Sequence, residues 1–247
     1  MVTCVGHGPM TCRRCWTSDA KVQNAGNFKL IHDPGHWGAA DPETIVLGIS
    51  KGNTQTTAYA SGPFDEVAFK GIRHRILEIF QAVGLLTDET PAQFQKRFKS
   101  TEKDFAFASV VRCSLTGIDR KKSAERREPV YTADSPNVIP AFRPESKGYP
   151  FVSNCVDQHL ANLGARARLV LLLGNTGSYI TALRDVIATT RGRVTPINEV
   201  AYWSAGVKFV HLSHPSKGNG HFGAFIRGEG TPGDKRDLAK SALLSAL

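Results

Sequence analysis

The sequence predicts an α/β protein, a three-layer α/β/α sandwich with a central four-stranded parallel sheet. Three observations lead there. Apolar runs bounded by turn residues alternate with segments of helical periodicity. The 247 residues, 41% of them hydrophobic, suffice for one sizeable α/β core. Strands that alternate with helices pair in parallel and are covered on both faces. The reading is one domain over residues 1–247, with an N-terminal cysteine-bearing layer at 1–41 and a basic insert at 119–150.

Along the chain, the segment Cys4–Asp41 is rich in Gly, His and polar residues without a period and reads as a non-regular layer. The first strand is expected at Thr44–Ser50. In Glu66–Val83, the residues Val67, Phe69, Ile72, Ile76, Ile79, Phe80 and Val83 recur at helical spacing. A second strand follows at Phe105–Cys113. The stretch Asp119–Pro150 carries several prolines, Tyr131, Tyr149 and the cluster Arg120, Lys121, Lys122, Arg126 and Arg127. It is too long for an ordinary connection, so it is either functional or mobile. A helix at Asn154–Leu163, a strand at Arg168–Gly174 and a helix at Gly177–Thr190 come next. The last strand is Val207–Ser213, and Pro232-Gly233-Asp234 opens a helix that runs to Leu247. No internal repeat is visible.

The 31 Lys and Arg against 22 Asp and Glu leave a formal charge of +9, which favours a polyanionic partner, nucleic acid first. General solubility is the alternative source of that charge. No apolar run approaches the roughly 18 residues of a membrane span. Met1–His7 lacks the regions of a signal peptide, so a cytoplasmic monomer is expected.

Structural disulfides are uncommon in that compartment, and the five cysteines ask for another explanation. Cys12 and Cys15 form a CxxC, Cys113 ends an apolar run, and Cys155 opens a helical pattern. Four such thiolates suit zinc or an iron–sulfur cluster. Unrelated buried thiols are the other possibility, and Cys4 is a spare or alternative ligand.

In a parallel sheet the ligand site lies beyond the carboxyl ends of the strands. Those ends are Gly48–Gly52, Arg112–Thr116, Gly174–Gly177 and Ser213–Ser216. Gly48 and Gly52 permit tight turns and close backbone approach, but the loop matches neither common nucleotide-binding glycine pattern. Pro215 holds the chain off helical geometry and presents His214 and Ser216 at a loop tip.

Taken in order, these features resemble the uracil-DNA glycosylase superfamily, most of all its iron–sulfur branch. The matching pieces are Cys12/Cys15, Gly48–Gly52, Gly62-Pro63-Phe64, Arg112-Cys113, Cys155, Leu173-Gly174 and His214-Pro215-Ser216. The resemblance spans roughly Cys12 to Phe222 and implies DNA as partner, base flipping and a 4Fe-4S cluster on Cys12, Cys15, Cys113 and Cys155, with structural zinc as the alternative. It implies that His214 stabilises charge on the leaving base and that Phe64 stacks on that base. Gly48 and Gly52 would border the base, and Ser216 would hold a phosphate with help from Lys217. His221 or Phe222 would fill the gap in the duplex. Arg120, Lys121 and Lys122 would add contacts to DNA.

The chain also departs from the branch. Lys51 stands in place of a Pro, and no carboxylate occupies the tight part of the first loop. Ser50, Asn53 and Gln55 are the polar candidates for placing the attacking water, Asn53 first, with Asp65 as a nearby carboxylate that would assist. Ser109 stands where the branch carries an Asn that reads uracil, and Ser lacks that paired donor and acceptor. The expectation is therefore a modified pyrimidine rather than plain uracil; were it a base of viral DNA, the role would be defence. A non-catalytic DNA-binding relative and a repair enzyme for uracil are the alternatives.

Overall fold

The computed structural model describes residues 6–16 and 18–245, so Cys4 lies outside the described residues. The strands in chain order are β1 (Gly8–Pro9), β2 (Val22–Ala25), β3 (Phe28–Ile31), β4 (Gly35–Gly38), β5 (Thr44–Gly48), β6 (Phe105–Ser109), β7 (Ser114–Ile118), β8 (Tyr131–Thr132), β9 (Leu169–Leu173), β10 (Val194–Asn198), β11 (Ala201–Ser204) and β12 (Val207–Leu212). Among the described residues, one sheet has eight strands in the order β1-β4-β6-β5-β9-β12-β11-β10. The other has the order β2-β3-β7-β8.

The four apolar runs become β6, β5, β9 and β12. β5 lies parallel to β6 and to β9, and β9 lies parallel to β12. The sheet is nevertheless wider than four strands and mixed in direction. Antiparallel β4 and β1 extend it beyond β6, and antiparallel β11 and then β10 extend it beyond β12. Period-two alternation feeds two cores. Ile45, Leu47, Val170 and Leu172 face helices Tyr149–Leu160 and Gly177–Arg191. Val46, Leu171, Val210 and Leu212 face helices Arg73–Ala82 and Gly230–Leu244.

Several boundaries correct the sequence reading. The N-terminal layer is regular: β2 and β3 form a hairpin that pairs through β3 with β7. β6 ends at Ser109, and the buried Val110 and Val111 carry the chain across to the second sheet, so Cys113 immediately precedes β7. The run stays apolar because both sides of this crossing are packed. The helix expected over 66–83 is a 3-10 turn at Phe64–Glu66 and a helix at Arg73–Ala82, interrupted where Phe69 and Gly71 take positive φ of 52° and 78°. The insert is also ordered. It holds helix Arg120–Arg126, strand β8 and helix Ser135–Val138. It packs so closely on β7 that a Cβ at Gly117 would stand 1.9 Å from the Asn137 carbonyl oxygen.

Candidate active site at the carboxyl ends of the parallel strands

Because β5, β9 and β12 run the same way, their carboxyl ends share one edge of the sheet. A cavity of about 480 Å³ opens there. Its wall takes Ile49 from beyond β5, Gly174, Asn175 and Thr176 from beyond β9, and Ser213, His214 and Ser216 from beyond β12. Asp134 and Ser135 of the insert close one side, and His221 and Lys235 another. Gly174 takes φ +155°, and a Cβ there would meet the Tyr179 ring at 2.8 Å, so only glycine lets the floor turn this tightly. His211 Nδ1 lies 2.8 Å from the Gly174 carbonyl oxygen and fixes it from below.

The Ser216 backbone N–H donates to His214 Nδ1 at 3.2 Å. A nitrogen that accepts carries no proton, so the neutral imidazole bears its hydrogen on Nε2. Burial, helped by the charge of Arg75, pushes His214 down to about 4 and keeps it neutral at physiological pH. Asn219 pins the loop: its amide donates to the His214 carbonyl at 2.7 Å and to Ser213 Oγ at 3.1 Å. The Asn219 Oδ1 accepts from the His221 N–H at 3.0 Å. Sequence reading passed over Asn219, although Lys-Gly-Asn-Gly is the composition of a turn. The result is an oriented, neutral N–H donor on a rigid loop, suited to an oxygen that gains negative charge.

Of the residues singled out from sequence, His214, Ser216 and His221 line the cavity. Lys217 is exposed on the same loop. Phe222 begins helix Phe222–Arg227, with the Arg75 guanidinium 3.7 Å above its ring. The first loop contributes Ile49 rather than its polar residues. Ser50 Oγ accepts from the Leu115 N–H at 2.7 Å and lies 3.1 Å from the Leu115 carbonyl oxygen, which ties it to β7. Gly52 caps helix Asn53–Ser61, and Asn53 is exposed on its first turn. Asp65 accepts from His7 Nε2 at 2.8 Å.

Gly48 and Ser109 are buried at the paired ends of β5 and β6, under the ring of Phe69. Phe64 stacks on Trp37 with centroids 4.6 Å apart and planes within 10°. None of Gly48, Ser109 and Phe64 lines the cavity. Arg120 and Lys121 are exposed on helix Arg120–Arg126. Lys122 reaches Asp119 at 3.2 Å and the cavity residue Asp134 at 3.4 Å.

Lys51, the departure in the first loop, is buried. Its ammonium stands 3.3 Å from Asp33 Oδ1, with side chains only 2% and 5% exposed, and donates to the Arg112 carbonyl. Asp33 also accepts from the Ser114 N–H at 2.7 Å and its hydroxyl at 2.5 Å. One ion pair thus fastens the loop after β5, the chain before β4 and the start of β7.

The cysteines Cys12, Cys15, Cys113 and Cys155 are all free thiols. Cys155 donates to Cys15, which draws Cys15 down to about 7 and holds Cys155 well above the usual thiol range. Asn154 Nδ2 adds a donor 3.7 Å from Cys15 Sγ. Burial pushes Cys113 up to about 12. Arg112 is buried beside Cys12 and Cys155, with Nε and Nη1 lacking partners. Cysteine sulfurs, which bind metal once deprotonated, beside an unpaired cation suit a thiophilic metal centre in chemistry. As placed, no three His, Cys, Asp or Glu side chains among the described residues are grouped to hold one metal ion. No helix among the described residues is long and apolar enough to cross a membrane.

No protein-family model matches the chain, and no curated protein matches it. Among solved structures, it is similar to the crystal structure of wild-type Pedobacter heparinus SMUG2, at 13% identity over 93% of each chain with a TM-score of 0.46. A likeness this distant assigns no residue of this chain a role.

Proposed function

We propose that this chain is a DNA glycosylase that takes an altered pyrimidine out of the stack and hydrolyses its N-glycosidic bond, leaving an abasic site. The observation that carries the reading is His214, neutral and Nε2-protonated at the wall of the strand-end cavity. Bond cleavage puts positive character on the sugar and negative charge on the departing base. An N–H donor aimed at a base carbonyl strengthens as that charge grows, which favours the transition state over the ground state. With Ser50 engaged by Leu115, Asn53 is proposed to place the water, from the exposed first turn of helix Asn53–Ser61 outside the cavity lining. A neutral amide suffices where the bond breaks ahead of attack.

A modified pyrimidine is favoured over uracil. The cavity of about 480 Å³ exceeds what a bare pyrimidine ring requires, which supports the larger base; Ser109 lies outside the cavity lining and adds nothing to that support. If that base belongs to viral DNA, the enzyme serves defence. We further propose that Cys12, Cys15, Cys113 and Cys155 hold a 4Fe-4S cluster, with zinc as the alternative. Their thiol chemistry and the unpaired Arg112 guanidinium support a bound metal group. The cluster would brace the N-terminal layer against β7 and helix Tyr149–Leu160. Iron, sulfide and zinc analysis with a visible spectrum decides between them.

Oligonucleotides carrying uracil or modified pyrimidines, scored for abasic sites, test the activity. Release of a modified base in preference to uracil is the expected result. Release of uracil alone would make this a repair enzyme. The locked Ser50 and the first loop without a carboxylate favour a second reading, a DNA-binding protein without catalysis. Salt-sensitive binding with no base released would establish it.

A further inference from the structure

Among the described residues, arginines that are even partly buried find hydrogen-bond or ion-pair partners, except Arg112, Arg75 and Arg184. Arg73 bonds to the Ala68 carbonyl at 2.8 Å and to Gln95 at 2.7 Å. Arg97 grips Glu89 with contacts of 2.6 to 2.9 Å. Arg191 reaches the Ala161 carbonyl at 3.0 Å. Arg112, the first exception, lies among the cysteines. The second is Arg75, on helix Arg73–Ala82. Its Nε is buried without a hydrogen-bond partner, and no ion pair among the described residues involves it.

What Arg75 does have is a platform. Its Cζ stands 3.7 Å from the centroid of Phe222, stacking the guanidinium on the ring. Phe222 directly follows the cavity residue His221. Helix Arg73–Ala82 packs on helix Phe222–Arg227, so the cation is carried to the loop that bears His214 from the far face of the sheet. Its charge is felt at His214. A guanidinium so held has lost its rotamer freedom and part of its water before any ligand arrives. Its planar donor fork matches the oxygens of a phosphate.

We propose that Arg75, stacked on Phe222, binds a backbone phosphate of the DNA strand beside the nucleotide held in the cavity. This deepens the glycosylase reading and rests on it. It also gives Phe222 a task other than entering the duplex: the ring positions the phosphate ligand.

The test is equilibrium binding of the full chain to a labelled oligonucleotide across a salt series. The variants are Arg75→Gln, Arg75→Lys and, as control, Arg193→Gln, which lies ahead of the amino end of β10 and so at the opposite edge of the sheet. Loss of one phosphate contact flattens the slope of log K against log salt by about 0.9 on duplex or 0.7 on single strands. Arg75→Gln is expected to show that change with an affinity loss of several-fold to about tenfold. Arg75→Lys should keep the slope while binding more weakly, because it keeps the charge and loses the fork and the stack. Arg193→Gln should match the wild type in affinity. Unchanged slope and affinity in Arg75→Gln, with the wild type bound, overturns the assignment of Arg75 and leaves the glycosylase reading standing. A wild type that binds no DNA at any salt overturns both.

Discussion

His214 has a single orientation because three features of its loop agree on it. Pro215 fixes the turn, the Ser216 N–H occupies Nδ1, and Asn219 holds the carbonyl. The donor is thus preorganised, and its removal should be felt in the chemical step rather than in binding. His214→Ala is expected to lower the single-turnover rate of base release by about a hundredfold or more, with DNA affinity little changed. Less than about a tenfold loss would remove His214 from the chemistry. His214 and Ser216 were legible in the sequence because Pro writes the turn into the chain. Asn219 was not, since its role depends on which carbonyl it meets after folding. Lys51 and Asp33 were hidden for the same reason. Each reads as a surface charge, and only the packing of β7 against the first loop makes them a buried pair.

At the scale of elements, that pair joins the loop after β5, the chain before β4 and the start of β7. Its removal should loosen all of them together. Lys51→Met leaves Asp33 buried with only Ser114 for company, and breaking a buried pair in this way costs about 3–5 kcal/mol. Denaturant melts should show that loss, and Lys51→Arg should recover little because the cavity around the ammonium is closed. A cost within about 0.5 kcal/mol would mean water reaches Asp33. The strands at the sheet's centre were legible because burial on both faces demands unbroken apolar runs such as Leu169–Leu173. The flanking strands lack that signature. β10 carries Pro196 and is largely open to solvent, so only its pairing with β11 makes it a strand. β4 is Gly-His-Trp-Gly, and its extended form comes from pairing with β6 rather than from propensity.

At the scale of the molecule, four histidines share one consequence of burial. Desolvation lowers His36, His211 and His214 to about 4 and His159 to about 3. Their unfolded value is near 6.5. Between about pH 6.5 and 4 the unfolded chain therefore binds protons that the folded chain refuses. The slope of unfolding free energy with pH is positive wherever the unfolded state holds more protons. Stability is fully present above about pH 6.5 and is lost as pH falls through that window. Each histidine contributes a slope of at most about 1.4 kcal/mol per pH unit. Denaturant midpoints measured from pH 7.5 to 4.5 should thus decline on the acid side, the decline beginning above the range in which ordinary carboxylates protonate. His211→Asn isolates one share of this: the amide can still donate to the Gly174 carbonyl, but it cannot take up a proton in the window. The variant should flatten the acid slope by about one proton while the cavity floor stays intact. An acid slope equal to that of the wild type would show that His211 meets water in the folded protein, and that the sheet beneath the cavity is more open than its packing indicates.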